Sequence, residues 1–376
     1  MDWRVPLADL DYGLEEIEAV KAVLQSKWLT MGGITQEFEA QFASMCDCKH
    51  AIAVSNATQA LHLACLALDI GPGDEVIVPS LSFVATANAV LYCSADVRFA
   101  DVISPEDLTI DPQSILENIT PKTKAIIAMH YAGYPCRMPE IMQIAEDHDL
   151  AVIEDAAHAP GGALDGKALG IWGDVGCFSF FSNKNLSTGE GGMIITNRDD
   201  ISEKCKLQRS HGMTSLTYDR HKGHAFSYDV VELGYNYRID EIRSALGIEQ
   251  LKKLADNNAK RGVYTAKYWQ GLESMSLGLP FSNGVQGLPS YHVFPVILPE
   301  TIIRHDFMTG LRDAGIQTSI HYRPIHTFTY YQNKYGKALL PITELVGQRE
   351  VTLPLYPTMG EEKINLVLEQ VKRLLA

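Results

Sequence analysis

Ala151-Val152-Ile153-Glu154-Asp155-Ala156-Ala157-His158 is a short apolar run that ends in two carboxylates and then an imidazole. Such a run reads as a strand buried on both faces, and strands of that kind belong to parallel sheets. Similar runs lie at 51–54, 75–79, 97–100, 125–129, 175–181 and 193–196. Helical periodicity separates several of them, at 58–69, 83–93 and 139–149, and precedes them at 14–26 and 35–46. In the first of these two, Ile17, Val20 and Leu24 share a face; in the second, Phe38, Phe42 and Met45 do. Strands alternating with helices predict an α/β fold, with a mainly parallel seven-stranded sheet between helices. Ligands of such sheets bind beyond the carboxyl ends of the strands, and Asp155 falls at one of those ends.

The stretch from Cys177 to Gly192 carries an apolar strand into a polar, glycine-rich turn holding Ser182-Asn183-Lys184-Asn185, and then towards another strand. Lys184 thus sits at the rim of the sheet. An amine there can form an imine with a carbonyl cofactor, and partial burial would lower its pKa so that it also serves as a base. An arbitrary lysine is a solvated surface group; the carboxylate of Asp155 upstream is what distinguishes this one. A Schiff-base lysine with an aspartate for a pyridinium nitrogen is the pair that pyridoxal phosphate chemistry requires.

With 376 residues the chain exceeds a single core, so a large unit with a smaller companion is expected. A long helical pattern at 240–272 marks the change, after which strands are expected at 291–298 and 317–322, a helix near 306–314 and a closing amphipathic helix at 361–376. The division is expected as 1–250 for a large cofactor-binding domain and 251–376 for a small C-terminal α+β domain. A net charge of -14 argues against nucleic acid as a partner, because phosphate backbones are held by clustered Lys and Arg. The N-terminus lacks a signal-peptide pattern and no apolar run is long enough to span a bilayer, which predicts a cytoplasmic protein without membrane contact. The seven cysteines are expected as reduced packing residues. Neither Cys46-Asp47-Cys48 nor His221-Lys222-Gly223-His224 has the partners of a zinc site, so no metal is expected.

Four more segments bear on chemistry, each with a plainer reading beside it. Ser55-Asn56-Ala57-Thr58-Gln59 joins a strand to a helix, so its first amides and the Thr58 hydroxyl offer an anion site; a Thr N-cap gives the same sequence. Phe83 begins the helix at 83–93, where its ring could stack on a planar cofactor or pack in the core. Gly234-Tyr235-Asn236-Tyr237-Arg238 is a polar, aromatic loop before the long helix, or only its entry. His321-Tyr322-Arg323-Pro324-Ile325-His326 is a substrate-contact candidate or a histidine-rich surface turn.

Together these segments resemble the DegT/StrS-type sugar aminotransferases, a branch of the fold-type I pyridoxal phosphate enzymes. The resemblance runs from Trp28-Leu29-Thr30-Met31-Gly32-Gly33 to Pro354-Leu355-Tyr356-Pro357, and its most specific parts are the Glu154–His158 strand end, the Lys184 loop and Gly234–Arg238. It implies Lys184 as the lysine that carries the cofactor and Asp155 as the partner of the pyridine nitrogen. It also implies His158 near the ring, Phe83 on its face, and Ala57, Thr58, Gln59 and Ser179 around the phosphate. Asn236 matches an asparagine that reaches the phosphate from the neighbouring subunit, which implies a homodimer with shared active sites. Arg209, His211, Arg238, His321, Tyr322 and Arg323 are candidates for the substrate.

The implied reaction is a two-stage, ping-pong transamination from an amino acid, glutamate by resemblance, to a nucleotide-linked keto sugar. The Gly189-Glu190-Gly191-Gly192-Met193 ending favours amination at carbon 4 of a 4-keto-6-deoxy sugar; relatives acting at carbon 3 often carry Asp in place of Glu. Ser182-Asn183 departs from the Pro-Thr of many relatives. Retention of Lys184 argues against the dehydrating branch, which has His there. A keto-inositol aminotransferase is an alternative, and a non-catalytic pyridoxal-binding regulator would need an appendage for which the chain has no spare segment.

Overall fold

The computed structural model describes residues 3–214, 227–284 and 286–375. Seven strands form one sheet: β1 (His50–Val54), β2 (Glu75–Pro79), β3 (Asp96–Ala100), β4 (Thr123–Met129), β5 (Ala151–Asp155), β6 (Val175–Ser179) and β7 (Gly192–Thr196). Their order is β1-β7-β6-β5-β4-β2-β3. The pairs β2/β3, β2/β4, β4/β5 and β5/β6 are parallel, whereas β7 runs antiparallel to both β1 and β6. That reversal follows from the connection, since β6 and β7 are joined by the Lys184 turn with no crossover helix between them.

Around the sheet lie α1 (Leu14–Ser26), α2 (Gly33–Cys46), α3 (Ala57–Ala67), α4 (Ala85–Tyr92), α5 (Pro112–Asn118), α6 (Met138–His148), α7 (Asp199–Gln208) and α8 (Glu241–Leu272). Successive strand residues feed opposite cores. Ile52, Val54, Ile153, Cys177 and Ile194 join α3 and α4 on one face, while Ala51, Ala53, Val152, Phe178 and Ile195 join α2 and α6 on the other. The second core is anchored by Phe38, Phe42, Phe178 and Phe180, with ring centroids 5.0 to 6.2 Å apart.

Two buried carboxylates tie loops to this frame. Glu154 accepts hydrogen bonds from the backbone N–H groups of Gly170, Trp172 and Gly173 and from His130 Nε2. Glu241, in the first turn of α8, accepts from Gly32, Ile34 and Thr35 N–H and from the Thr35 hydroxyl, so it satisfies the open amides at the start of α2.

The second unit pairs β8 (Phe294–Ile297) with β9 (Glu350–Leu353), antiparallel, and packs α9 (Arg304–Asp313) and α12 (Gly360–Leu375) on them. α8 contributes to both units, with Ile248 and Leu254 in the large core and Tyr268 and Leu272 in the small one. We therefore propose that the division expected between 1–250 and 251–376 falls inside this helix, with Leu254 still belonging to the large core. Two segments cross it: Val5 packs in the small core, and Ile325, Tyr331 and Leu340, flanking and within α10 (Thr329–Tyr335), pack in the large one before α11 (Pro341–Arg349).

The strand expected at 317–322 is replaced by isolated bridges, Val5 with Ile316 and Ser319 with Thr352. The reason is local: the His321 N–H, which a ladder would use, donates instead to the Glu350 side chain at 2.8 Å. All seven cysteines are free thiols. Among the described residues no helix is long and apolar enough to cross a membrane. His221 and His224 lie outside the described residues.

Candidate active site

The carboxyl ends of β5 and β6 and the turn after β6 bring Asp155, His158, Ser179 and Lys184 to one edge of the sheet. The turn is held by its own backbone, Lys184 N–H donating to Phe181 O and Thr188 N–H to Phe180 O. It is nailed down by Phe180 and Leu186, both fully buried. Lys184 is thereby presented between two fixed points. Burial pushes its amine down to about 7, with the charge of Asp155 pulling the other way.

Asp155 lies buried at the end of β5. Burial raises its carboxyl above the ordinary range, against hydrogen bonds from the Thr86 hydroxyl to Oδ2 at 2.7 Å and the Ala157 N–H to Oδ1 at 3.2 Å. Thr86, in the first turn of α4, also meets the Ser82 hydroxyl at 2.6 Å. The result is a carboxyl group fixed in place with little water around it, which can pair with a cationic N–H.

His158 is held in one tautomer. Ala132 N–H donates to its Nδ1 at 3.2 Å, so Nε2 carries the proton and donates to the Tyr322 hydroxyl at 2.8 Å. Burial and the nearby Lys184 keep this imidazole neutral, well below the usual histidine range. Tyr322 in turn approaches Phe83, whose ring is 6.0 Å away and largely exposed. Phe83 precedes α4 instead of beginning it, which leaves its face open.

His321 is pushed down to about 4 by burial and by Lys184, and its Nδ1 lies 2.8 Å from the Thr352 hydroxyl. Thr352 contacts Glu350, whose carboxyl burial pushes up to about 8. The segment expected to be either a substrate contact or a surface turn is thus folded inward at His321 and Tyr322. Arg323 turns away, donating to the hydroxyl and carbonyl of Thr327.

At the N-terminus of α3 the cap is Asn56, whose side chain accepts from Gln59 N–H, and not Thr58, which lies inside the first turn. The extended conformation that a cap requires falls one residue before the helix begins, at Asn56. This leaves the Thr58 hydroxyl outside the capping bond, and Gln59 Oε1 is buried without a hydrogen-bond partner. Gly192 allows β7 to press against this turn: a Cβ there would sit 2.6 Å from Asn56 C and 2.8 Å from Ala57 N.

Other candidates lie elsewhere. Arg209 is buried in an ion pair with Glu39 at 2.6 Å and also donates to Ala53 O, so its guanidinium serves packing beneath β1. His211 and Asn236 are exposed; the His211 N–H donates to Tyr235 O, and Asn236 bridges Ser210 through its backbone. Arg238 bridges Val54 through its backbone.

Sequence reading missed His292, whose Nε2 lies 3.3 Å from Lys184 Nζ. It stands just before β8 as a lone histidine among apolar residues, and no local signal aims it at a lysine 108 positions away. Thr86 was also missed, though it follows Phe83 within a segment already under suspicion.

Each part of this set could hold one part of a phosphorylated pyridine aldehyde. Lys184 can bond an aldehyde carbon, Asp155 can pair with a protonated ring nitrogen, and Phe83 can cover a ring face. The first amides of α3 with Thr58, Gln59 and Ser179 can take an anion. A lysine of lowered pKa and a buried carboxylate at the strand ends of a mainly parallel sheet fit the carbonyl-handling α/β enzymes of the fold-type I class. The sequence profile of the DegT/DnrJ/EryC1/StrS aminotransferase family matches residues 11–372, and the chain belongs to that family.

Among its relatives is the spore coat polysaccharide biosynthesis protein SpsC of Bacillus subtilis, 37% identical over 368 residues, which cover 96% of this chain and 94% of that one. Helicobacter pylori PseC, an aminotransferase involved in the biosynthesis of pseudoaminic acid, superposes with a TM-score of 0.92 at 29% identity, covering 100% of this chain and 99% of the other. The putative sugar aminotransferase Spr1654 of Streptococcus pneumoniae, in its PLP form, has a TM-score of 0.91 at 25% identity, covering 99% and 100%. The protein is therefore an enzyme of the sugar aminotransferase kind.

Proposed function

We propose that the protein uses pyridoxal phosphate to move an amino group from glutamate to carbon 4 of a nucleotide-linked 4-keto-6-deoxy sugar. The observation that carries the aminotransferase part is Lys184: an amine whose pKa of about 7 lets it act as nucleophile and base, set against the buried Asp155. Bound pyridoxal phosphate supplies an aldehyde and a protonated ring that withdraws electrons.

Lys184 Nζ would hold the cofactor through its aldehyde carbon and, once freed by a donor amine, would serve as the base that carries the proton between donor and cofactor. With a keto sugar in place of the donor, the same amine would carry the proton in the opposite sense. Asp155, fixed by Thr86 and Ala157, would pair with the ring nitrogen and favour its protonated form. His158, neutral and locked by Ala132, would present a fixed edge to the cofactor ring, with the Tyr322 hydroxyl bonded to its Nε2. The Gly189–Met193 ending supports carbon 4. Exposed Asn236, with the apolar Val230, Val231, Leu233 and Phe181 also exposed, supports a homodimer in which a second copy completes the phosphate site.

The test is visible absorbance of the purified protein with pyridoxal phosphate, then glutamate, then a panel of keto acceptors. The reading expects the lysine-bound band to vanish with glutamate and return with a nucleotide-linked 4-keto sugar. Return only with a keto-inositol would move the protein to the aminocyclitol alternative. No response to any amino donor would overturn transamination.

A further inference from the structure

We propose that His292 is a positioning residue for Lys184: its bare Nε2 receives an N–H of the lysine amine whenever that amine is not bonded to the cofactor, and Asn185 sets the tautomer that makes this possible. The inference rests on Lys184 being the cofactor lysine.

The tautomer can be read from the hydrogen bonds. Asn258 Nδ2 donates to Pro160 O at 2.9 Å, which turns Asn258 Oδ1 towards Asn185. Asn185 Nδ2 then donates to Asn258 Oδ1 at 2.8 Å and to Ser290 O at 2.6 Å; a carbonyl can only accept, so the orientation of the Asn185 amide is fixed. Its Oδ1 therefore faces His292 Nδ1 at 2.9 Å and must receive a proton from it. In the neutral ring Nε2 is left as an acceptor, 3.3 Å from Lys184 Nζ. Burial, Lys184, His158 and Arg261 all hold the ring neutral, well below the usual histidine range. Charged and titratable groups face His292 from each side. Lys184 comes from the turn, His158 from beyond β5, His321 from the segment before β9, and Arg261 from α8, where it donates to His292 O at 3.1 Å.

A proton-carrying lysine needs two things once it is released: a defined place, and a lone pair aimed at the reacting carbon. One N–H bonded to a fixed acceptor supplies the first and limits rotation about the Cε–Nζ bond for the second. Asn185 follows Lys184 directly, so the turn that presents the amine also sets the acceptor that catches it.

His292→Gln keeps a side-chain acceptor where Nε2 stands, whereas His292→Asn keeps polarity only where Nδ1 stands. The expected result is a fall of about 10- to 100-fold in the single-turnover rate with an amino donor for His292→Asn, the scale of a misplaced catalytic group. The donor's KM should change little, and His292→Gln should stay within a few-fold of wild type. Asn185→Ser, which leaves the ring but frees its tautomer, should give a smaller fall.

The second readout needs no cofactor. Loss of the acceptor removes a bond that favours the charged amine, so the Lys184 pKa of the apoprotein should drop in His292→Asn and hold in His292→Gln. It is measured by the pH dependence of Lys184 modification, followed by peptide mass spectrometry. Equal rates and equal Lys184 pKa values in wild type and His292→Asn would overturn the proposal, as would equal damage in the Gln and Asn variants. Absence of a lysine-bound cofactor band in the wild type would instead remove the functional reading beneath it.

Discussion

Thr86→Val isolates how the structure handles the Asp155 charge. The substitution keeps the shape of a fully buried side chain and deletes the hydroxyl that donates to Asp155 Oδ2 at 2.7 Å. A hydrogen bond to a charged group contributes roughly 1.5–3 kcal/mol, and a neutral one about 1 kcal/mol. The Asp155 carboxyl is already above its ordinary value of 3.8, because burial outweighs its hydrogen bonds. The folded state thus binds this proton more tightly than the unfolded state, and stability falls as pH rises from the unfolded value through the folded one. Removing the Thr86 donor should raise the folded pKa further, because a bond that favours the charged form is lost, and deepen that fall. The lost Ser82 contact adds a penalty that does not depend on pH. Urea unfolding of the apoprotein at several pH values should show a destabilisation that grows by about 0.5–2 kcal/mol from where Asp155 is protonated to where it is ionised. A destabilisation that stays constant across pH would refute the charge-coupled role of Thr86.

Gly192→Ala should weaken pyridoxal phosphate binding more than it weakens the fold, because the added Cβ meets Asn56 C and Ala57 N at the start of α3 while β7 keeps its partners; equilibrium titration of cofactor against unfolding midpoint separates the two. Phe42→Ala removes a fully buried ring in contact with Phe38, Phe178 and Phe180 and should cost about 3–5 kcal/mol by urea unfolding, with no selective effect on the cofactor.

How much of this could be read from residues alone depends on how far apart the interacting groups are. The apolar run at 151–153, closed by two carboxylates, announces its burial, and it became β5 with Asp155 at its end. Apolar periodicity does not encode strand direction, so the reversal of β7 became visible only in the pairing with β1 and β6. Asn56 and Thr58 are both capping residues by type, and backbone conformation alone decides between them. The segment at 317–322 has the composition of a strand, but a buried glutamate from β9 takes its amide. Arg209 looked available because Glu39, its partner, is 170 positions away. His292 was hidden for the same reason: its meaning lies wholly in a contact that the packing of the second unit against the turn creates.

The central claim is that Lys184 carries the cofactor, and hydride trapping tests it most directly. The protein is incubated with pyridoxal phosphate, reduced with borohydride so that any imine becomes a stable secondary amine, digested and mapped by mass spectrometry. The account predicts one phosphopyridoxyl group, on Lys184. A label confined to a different lysine, or no retained label in protein that has bound the cofactor, would contradict it.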